Sequence, residues 1–122
     1  MKLIIAGGRD FNNRNALESA VIDFLDGLEG YEGEEIFPTI ICGMCKGADL
    51  LGRDYAKKRG WDIEEYPADW NLHGRSAGMI RNKEMARIAT HAILFWDGKS
   101  KGTSNMIGLC KEYRIFHQIV RY

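Results

Sequence analysis

The chain has 122 residues, of which 45% are apolar and 28% charged, and its 17 Lys+Arg balance 17 Asp+Glu. This length and composition predict one globular domain over residues 1–122 with a core of its own. The zero formal charge makes nucleic acid an unexpected partner, because general nucleic-acid binders carry a basic surplus. No apolar run is long enough to cross a bilayer, and the N-terminal apolar run is cut short at Gly7-Gly8-Arg9-Asp10, so neither a membrane span nor a signal peptide is expected and the predicted location is cytoplasmic.

Leu3-Ile4-Ile5-Ala6 predicts a first strand over about residues 2–6, a continuous apolar run suited to burial on both faces. It stops at Gly7-Gly8-Arg9-Asp10-Phe11. Leu17, Ala20, Val21, Phe24, Leu25 and Leu28 then recur at three- and four-residue steps, which predicts a helix with Asn13 or Asn15 as its cap. Residues 29–35 are acid- and glycine-rich without a period and predict a solvated loop. Residues 39–42 predict a second strand, which runs into Gly43-Met44-Cys45-Lys46-Gly47-Ala48-Asp49. Ala48, Leu51, Tyr55 and Ala56 predict a helix that ends at Gly60. A third strand is expected over 61–66, with Trp61, Ile63 and Glu65 on one face, and Pro67 ends it. Residues 67–80 are the least regular stretch. A helix should follow from Ser76 or Ala77 to Thr90, with Ile80, Met85, Ile88 and Ala89 toward the core. Residues 92–96 predict a fourth strand, running into Asp97-Gly98-Lys99-Ser100-Lys101-Gly102-Thr103. A helix over 103–113 and a strand over 117–120 complete the pattern.

This alternation predicts an α/β fold: a three-layer Rossmann-like sandwich with a parallel sheet of about five strands. Three strands therefore end in glycine-bearing loops at one edge of the sheet, where ligands bind in such folds. Glycine permits close backbone approach, and helix N-termini offer free N–H groups to anions.

Common motifs fit poorly. Gly98-Lys99-Ser100 ends like a P-loop, but Ile93 stands where the first glycine belongs. Cys42-Gly43-Met44-Cys45 resembles a redox pair at a strand-to-helix junction, yet no proline faces it as in thioredoxin-like proteins. Burial of Cys42 as a small apolar residue is the simpler reading. The third cysteine, Cys110, leaves an odd number and no disulfide framework, and no second cysteine or histidine pair completes a metal site. Arg81 shares a helix face with Met85 and Ile88. It must meet a carboxylate such as Asp69 or Asp97, a carbonyl, or a phosphate or carboxylate ligand. Phe11, Trp70 and Trp96 are each either core residues or platforms for a base.

Five segments occur in order: Gly7 to Phe11, Gly43 to Asp49, Pro67-Ala68-Asp69-Trp70, Gly74 to Met85, and Trp96 to Thr103. Together they resemble the YspA-like branch of the SLOG superfamily, which includes the LOG phosphoribohydrolases and the DNA-processing protein DprA. The resemblance implies a domain that binds a nucleotide or nucleotide-derived small molecule, as a signal sensor or sequestering protein. It also implies a homo-oligomer; neither a cofactor nor a metal is expected. The implied ligand-binding residues are Gly7, Gly8, Arg9, Asp10 and Phe11; Gly43, Gly47 and Asp49; Asp69, Trp70 and Arg75; Arg81 and Asn82; and Trp96, Gly98, Lys99, Gly102 and Thr103.

Arg81 and Met85 match the R-K-x-x-M helix of the LOG enzymes, with Asn82 in place of its lysine. Gly98, Gly102 and Thr103 resemble their P-G-G-x-G-T-x-x-E loop. The glutamate of that loop falls at Met106, and a thioether cannot act as a general base. Hydrolysis of an N-glycosidic bond, the alternative to binding, would then draw its carboxylate from Glu84 or Asp97, or else from Asp69 or Asp49. DNA handling as in DprA, and thiol redox through Cys42 and Cys45, are the lesser alternatives.

Overall fold

The computed structural model describes residues 1–28 and 37–122, so the loop expected over 29–35 lies outside the described residues. Five strands form one sheet: β1 (Lys2–Gly7), β2 (Thr39–Cys42), β3 (Ile63–Glu65), β4 (His91–Trp96) and β5 (Phe116–Arg121). All neighbours are parallel, in the order β3-β2-β1-β4-β5. The helices are α1 (Arg14–Leu28), α2 (Ala48–Arg59), the short α3 (Trp70–His73), α4 (Ala77–Ile88) and α5 (Lys101–Glu112).

Strand side chains alternate between faces, so β1 divides its apolar run between two cores. Leu3 and Ile5 pack with Ile40, Ile93 and Phe95 under Leu17, Val21, Phe24 and Leu25 of α1 and Tyr55 and Ala56 of α2. Ile4 and Ala6 pack with Ile41, Ala92 and Leu94 under Met85 and Ala86 of α4 and Met106, Ile107, Leu109 and Cys110 of α5. The result is the expected three-layer Rossmann-like α/β sandwich. From β1 the chain winds outward through β2 and β3, then returns to build β4 and β5 on the other side. The order reverses between β1 and β4, and a crevice opens beyond their carboxyl ends.

Local signals account for most boundaries. Asn13 caps α1 by accepting from the Ala16 N–H at 3.0 Å, and Gly60 ends α2 in the left-handed region at φ 73°. Three details depart from expectation. Glu65 is exposed and does not share the environment of buried Trp61. The helix expected to reach Thr90 stops at Ile88, because Thr90 is drawn to the sheet: its N–H donates to the Lys2 carbonyl at 2.9 Å, and its Oγ1 accepts from the Lys2 N–H at 3.0 Å. Within the irregular stretch, Asp69 nucleates α3 by accepting from the Leu72 N–H at 3.0 Å.

Gly47 locks the first two glycine loops together. Its φ is 93°, and a Cβ there would run into the Gly8 carbonyl oxygen and sit 2.7 Å from that of Arg9. The next residue, Ala48, donates its N–H to the same Gly8 carbonyl at 3.3 Å. Gly47→Ala should therefore destabilise the fold by about 1–3 kcal/mol, read as a lower urea midpoint. An unchanged midpoint would mean that the loops are not locked.

Candidate functional site

At the carboxyl ends of β1 and β4 lies a cavity of about 590 Å³. The β1 loop supplies Ala6 to Asp10, α4 supplies Gly78, Met79, Arg81, Asn82 and Met85, and the start of α5 supplies Asp97 and Ser100 to Thr103. Cys45, Asp49, Trp70, Arg75 and Met106 complete the lining. Gly78, Arg81, Asn82 and Met85 meet the cavity together because three- and four-residue steps place them on one helix face.

Two buried charges sit against it: Arg81 is 8% exposed and Asp49 5%. Arg81 donates through Nη1 to the Gly43 carbonyl, through Nε to Asn82 Oδ1 at 3.0 Å, and through Nη2 to Cys45 Sγ at 3.6 Å. Of the three partners left open, it is a carbonyl that Arg81 meets, and no salt bridge to Asp69 or Asp97 forms among the described residues. A guanidinium has five N–H groups, so among the described residues three are engaged and two have no partner. Asp49 accepts from the Cys45 N–H at 3.2 Å. Gly43 separates the two charges: a Cβ there would lie 2.8 Å from Asp49 Oδ2 and 2.9 Å from Arg81 Nη1. Burial pushes the Asp49 carboxyl up to about 6, while Arg81 and the N–H groups of Cys45 and Gly7 hold it from rising further.

Asn82 ties this pair to α5, donating through Nδ2 to Asn105 Oδ1 at 3.0 Å and to the Gly102 carbonyl at 3.3 Å. Ser100 caps α5 by accepting from the Thr103 N–H at 3.4 Å. The first-turn N–H groups of Lys101 and Gly102 have no partner within the helix and are available to an anion. Asp97 shapes the preceding loop by accepting from the N–H groups of Lys99 and Ser100, both at 2.8 Å. The Ser100 bond foremost, with that of Lys99, holds its carboxyl below the usual range.

Of the residues implied by resemblance, the cavity gathers Gly7, Gly8, Arg9, Asp10, Asp49, Trp70, Arg75, Arg81, Asn82, Gly102 and Thr103, and with them Asp97. The others lie elsewhere. Phe11 is buried and stacks on Phe95 at 4.7 Å between centroids, so it is core rather than a platform for a base. Trp96 donates its indole N–H to the Ser100 carbonyl at 3.1 Å and lies under Arg121, which makes it a brace for the loop. Gly43 stands behind the Asp49–Arg81 pair, Gly47 lines a neighbouring groove, and Asp69 caps α3. Gly98 faces Arg121, and neither it nor Lys99 lines the cavity. Glu84 is exposed on α4 and away from the cavity. Trp70 is half-exposed at the mouth, with the Arg9 guanidinium 5.8 Å from its ring centroid.

Sequence reasoning did not single out Gly78, Met79, Ser100 or Lys101. The helical spacing from Arg81 back to Gly78 carried that signal, and so did a cap at Ser100 that starts α5 two residues before Thr103. Met106, where the LOG loop glutamate would fall, is buried beside Met85 and brings no carboxylate. Cys42 and Cys45 are free thiols. Burial pushes Cys42 up to about 11, the opposite of what a reactive thiol needs. Among the described residues no cluster of His, Cys, Asp and Glu is placed to hold a metal ion, and no helix is long and apolar enough to cross a membrane.

The family model described as "YspA, cpYpsA-related SLOG family" matches residues 1–73, which include both loops that surround Asp49. The chain is also similar to the Gene 61 protein of Mycobacterium phage D29, with 30% identity over 112 residues, covering 84% of this chain and 82% of that protein. No solved structure matches.

Proposed function

The chain belongs to the YspA, cpYpsA-related SLOG family, and we propose that its switch-point cavity binds a nucleotide or a nucleotide-derived small molecule. One observation carries the reading: a buried arginine with two N–H groups unpartnered among the described residues and a capped helix N-terminus line the same cavity, at the crevice where α/β sheets bind ligands. Phosphate oxygens would be held by Arg81 and the N–H groups of Lys101 and Gly102, with Arg75 and Arg9 adding charge at the mouth. Trp70 offers an aromatic face for a base. Isothermal calorimetry against nucleoside mono- and diphosphates and their sugar derivatives should give dissociation constants in the micromolar range for at least one base. No heat with any of them, from protein shown to be folded, would sink the proposal.

A second reading, hydrolysis at the ribosyl carbon, is supported by Asp49. Burial pushes its carboxyl up toward neutrality, as an acid–base group requires. Asp97, held ionised by two N–H groups, is suited to accepting hydrogen bonds rather than to moving protons. Incubation with each bound nucleotide, followed by chromatography, separates the readings: released base that disappears in Asp49→Asn supports hydrolysis, and unchanged nucleotide supports binding alone.

A further inference from the structure

The two edges of the sheet are finished differently. β3 is three residues long and carries two glutamates, Glu64 and Glu65, the short, charged form that keeps an edge from pairing. β5, at the other edge, runs for six residues, Phe116-His117-Gln118-Ile119-Val120-Arg121, without proline, lysine or carboxylate. Its arginine, Arg121, is folded back over the Trp96 ring, 5.2 Å from the centroid. Phe116 is 60% exposed, Tyr122 43% and Ile119 37%. The backbone groups of β5 alternate between β4 and the outside. Tyr122 donates its N–H to the Trp96 carbonyl at 3.2 Å. By the two-residue period of a strand, Phe116, Gln118 and Val120 also turn their N–H and C=O groups to β4. His117, Ile119 and Arg121 therefore turn theirs outward, where no strand pairs with β5 among the described residues.

We propose that a second copy of this chain takes this edge: the two β5 strands pair antiparallel about a two-fold axis at Ile119 and join two five-stranded sheets into one. One register uses the whole row of outward groups. With Ile119 opposite its own counterpart, His117 faces Arg121 of the second copy and Arg121 faces its His117, so each outward residue exchanges both hydrogen bonds. A shift of two residues takes one of the three past the end of the strand. The side chains agree with this register. Phe116 comes opposite Tyr122 of the second copy, an aromatic pair, and Gln118 opposite Val120, while Ile119 meets Ile119 on the other face. His117 Nδ1 lies 2.8 Å from the Ile115 carbonyl, which can only accept, so Nδ1 carries the proton. In the neutral ring Nε2 is then an acceptor, complementary to the guanidinium of Arg121 opposite. The exposed parts of Phe116 and Tyr122 amount to roughly 200 Å² per copy. Even doubled, with the strand backbone added, this stays at the small end of protein interfaces, below about 1,200 Å² in total. The dimer is therefore reversible, with a dissociation constant on the order of 10 μM, and it does not depend on what the cavity binds.

The test is sedimentation equilibrium of the full chain from about 1 μM to about 1 mM, with amide hydrogen exchange followed at both ends of that range. A monomer–dimer equilibrium is expected. The N–H groups of His117, Ile119 and Arg121 should exchange fast in dilute protein and about tenfold more slowly in concentrated protein, while those of Gln118 and Val120, bonded to β4, stay slow in both. Ile119→Lys sets two like charges against each other on the axis and should weaken the dimer at least tenfold. Ile119→Pro removes an N–H that β4 does not use and should do the same. The exchange pattern is read on the wild type, so a folding defect in either variant does not decide the matter. Protein that stays monomeric at about 1 mM overturns the proposal. So does a dimer in which the three outward amides exchange as fast as in the monomer, or one that persists at wild-type strength in both folded variants.

Discussion

Arg81→Leu is expected to abolish nucleotide binding and to destabilise the fold by about 3–5 kcal/mol, as truncating one side of a buried charge pair does. Both effects come from one geometry. Arg81 is buried, and three of its N–H groups satisfy the Gly43 carbonyl, Asn82 Oδ1 and Cys45 Sγ. Leucine leaves those acceptors without their donor, at about 1–3 kcal/mol for a buried polar group. It also leaves Asp49, 5% exposed on the other side of Gly43, without the positive charge that offsets its burial. Such a loss takes much of the 5–15 kcal/mol that a small domain holds in all, so Arg81→Lys is the variant for the binding measurement. It retains charge but loses the planar fork, and nucleotide affinity should fall by about 1.5–3 kcal/mol, roughly 10- to 150-fold. The double variant Arg81→Leu with Asp49→Asn separates the causes. If the uncompensated carboxylate dominates, it regains about 1–3 kcal/mol over Arg81→Leu alone in urea unfolding. Strictly additive losses would show that the two charges are not coupled.

The legibility of this fold and site divides along a physical line. Strands β1, β2 and β4 were readable because burial on both faces leaves an unbroken apolar run, and α1 because its six apolar residues repeat at helical steps. Glycine marked the three loops, since backbones approach closely there. Arg81 stood out because an arginine amid Met85 and Ile88 must be satisfied somewhere. What it meets was not readable: the Gly43 carbonyl lies 38 positions away, and only the crossover of the chain brings it near. The aromatic residues show the same limit. Phe11, Trp70 and Trp96 all adjoin glycine loops or strand ends, yet packing sends Phe11 into the core, Trp96 to a loop carbonyl and Trp70 to the cavity mouth. Glu84 was a plausible carboxylate by type. Its position on the outward face of α4 sets it apart from the cavity, while Asp49 is carried there by the loop that Gly47 clamps.

Asp49→Asn is expected to remove a pH-dependent loss of stability that the wild-type protein suffers between about pH 4 and pH 6. The Asp49 carboxyl has an ordinary value of 3.8 and is pushed up to about 6 in the fold by burial. Between these values the native state holds a proton that the unfolded chain has released, so stability falls as pH rises. The contribution is fully present below 3.8 and lost above about 6. At about 1.4 kcal/mol for each pH unit between the two values, ionised Asp49 costs the fold about 3 kcal/mol at neutral pH. His91 acts in the opposite sense: burial lowers its value, so its contribution is lost as pH falls below 6.5. Asp97, held low by its N–H partners, likewise favours the fold only above 3.8. Both remain in the variant, so the difference between the two urea-unfolding curves against pH isolates Asp49. Asparagine can still accept from the Cys45 N–H, and any constant cost of the amide shifts the variant's curve without tilting it. The difference should therefore be flat below pH 4, rise in the variant's favour through pH 6, and level off near pH 7. A difference that stays flat across this range would mean that Asp49 is not held protonated. A rise displaced to higher pH in the Arg81→Leu background would identify Arg81 as the charge that keeps Asp49 within reach of neutrality.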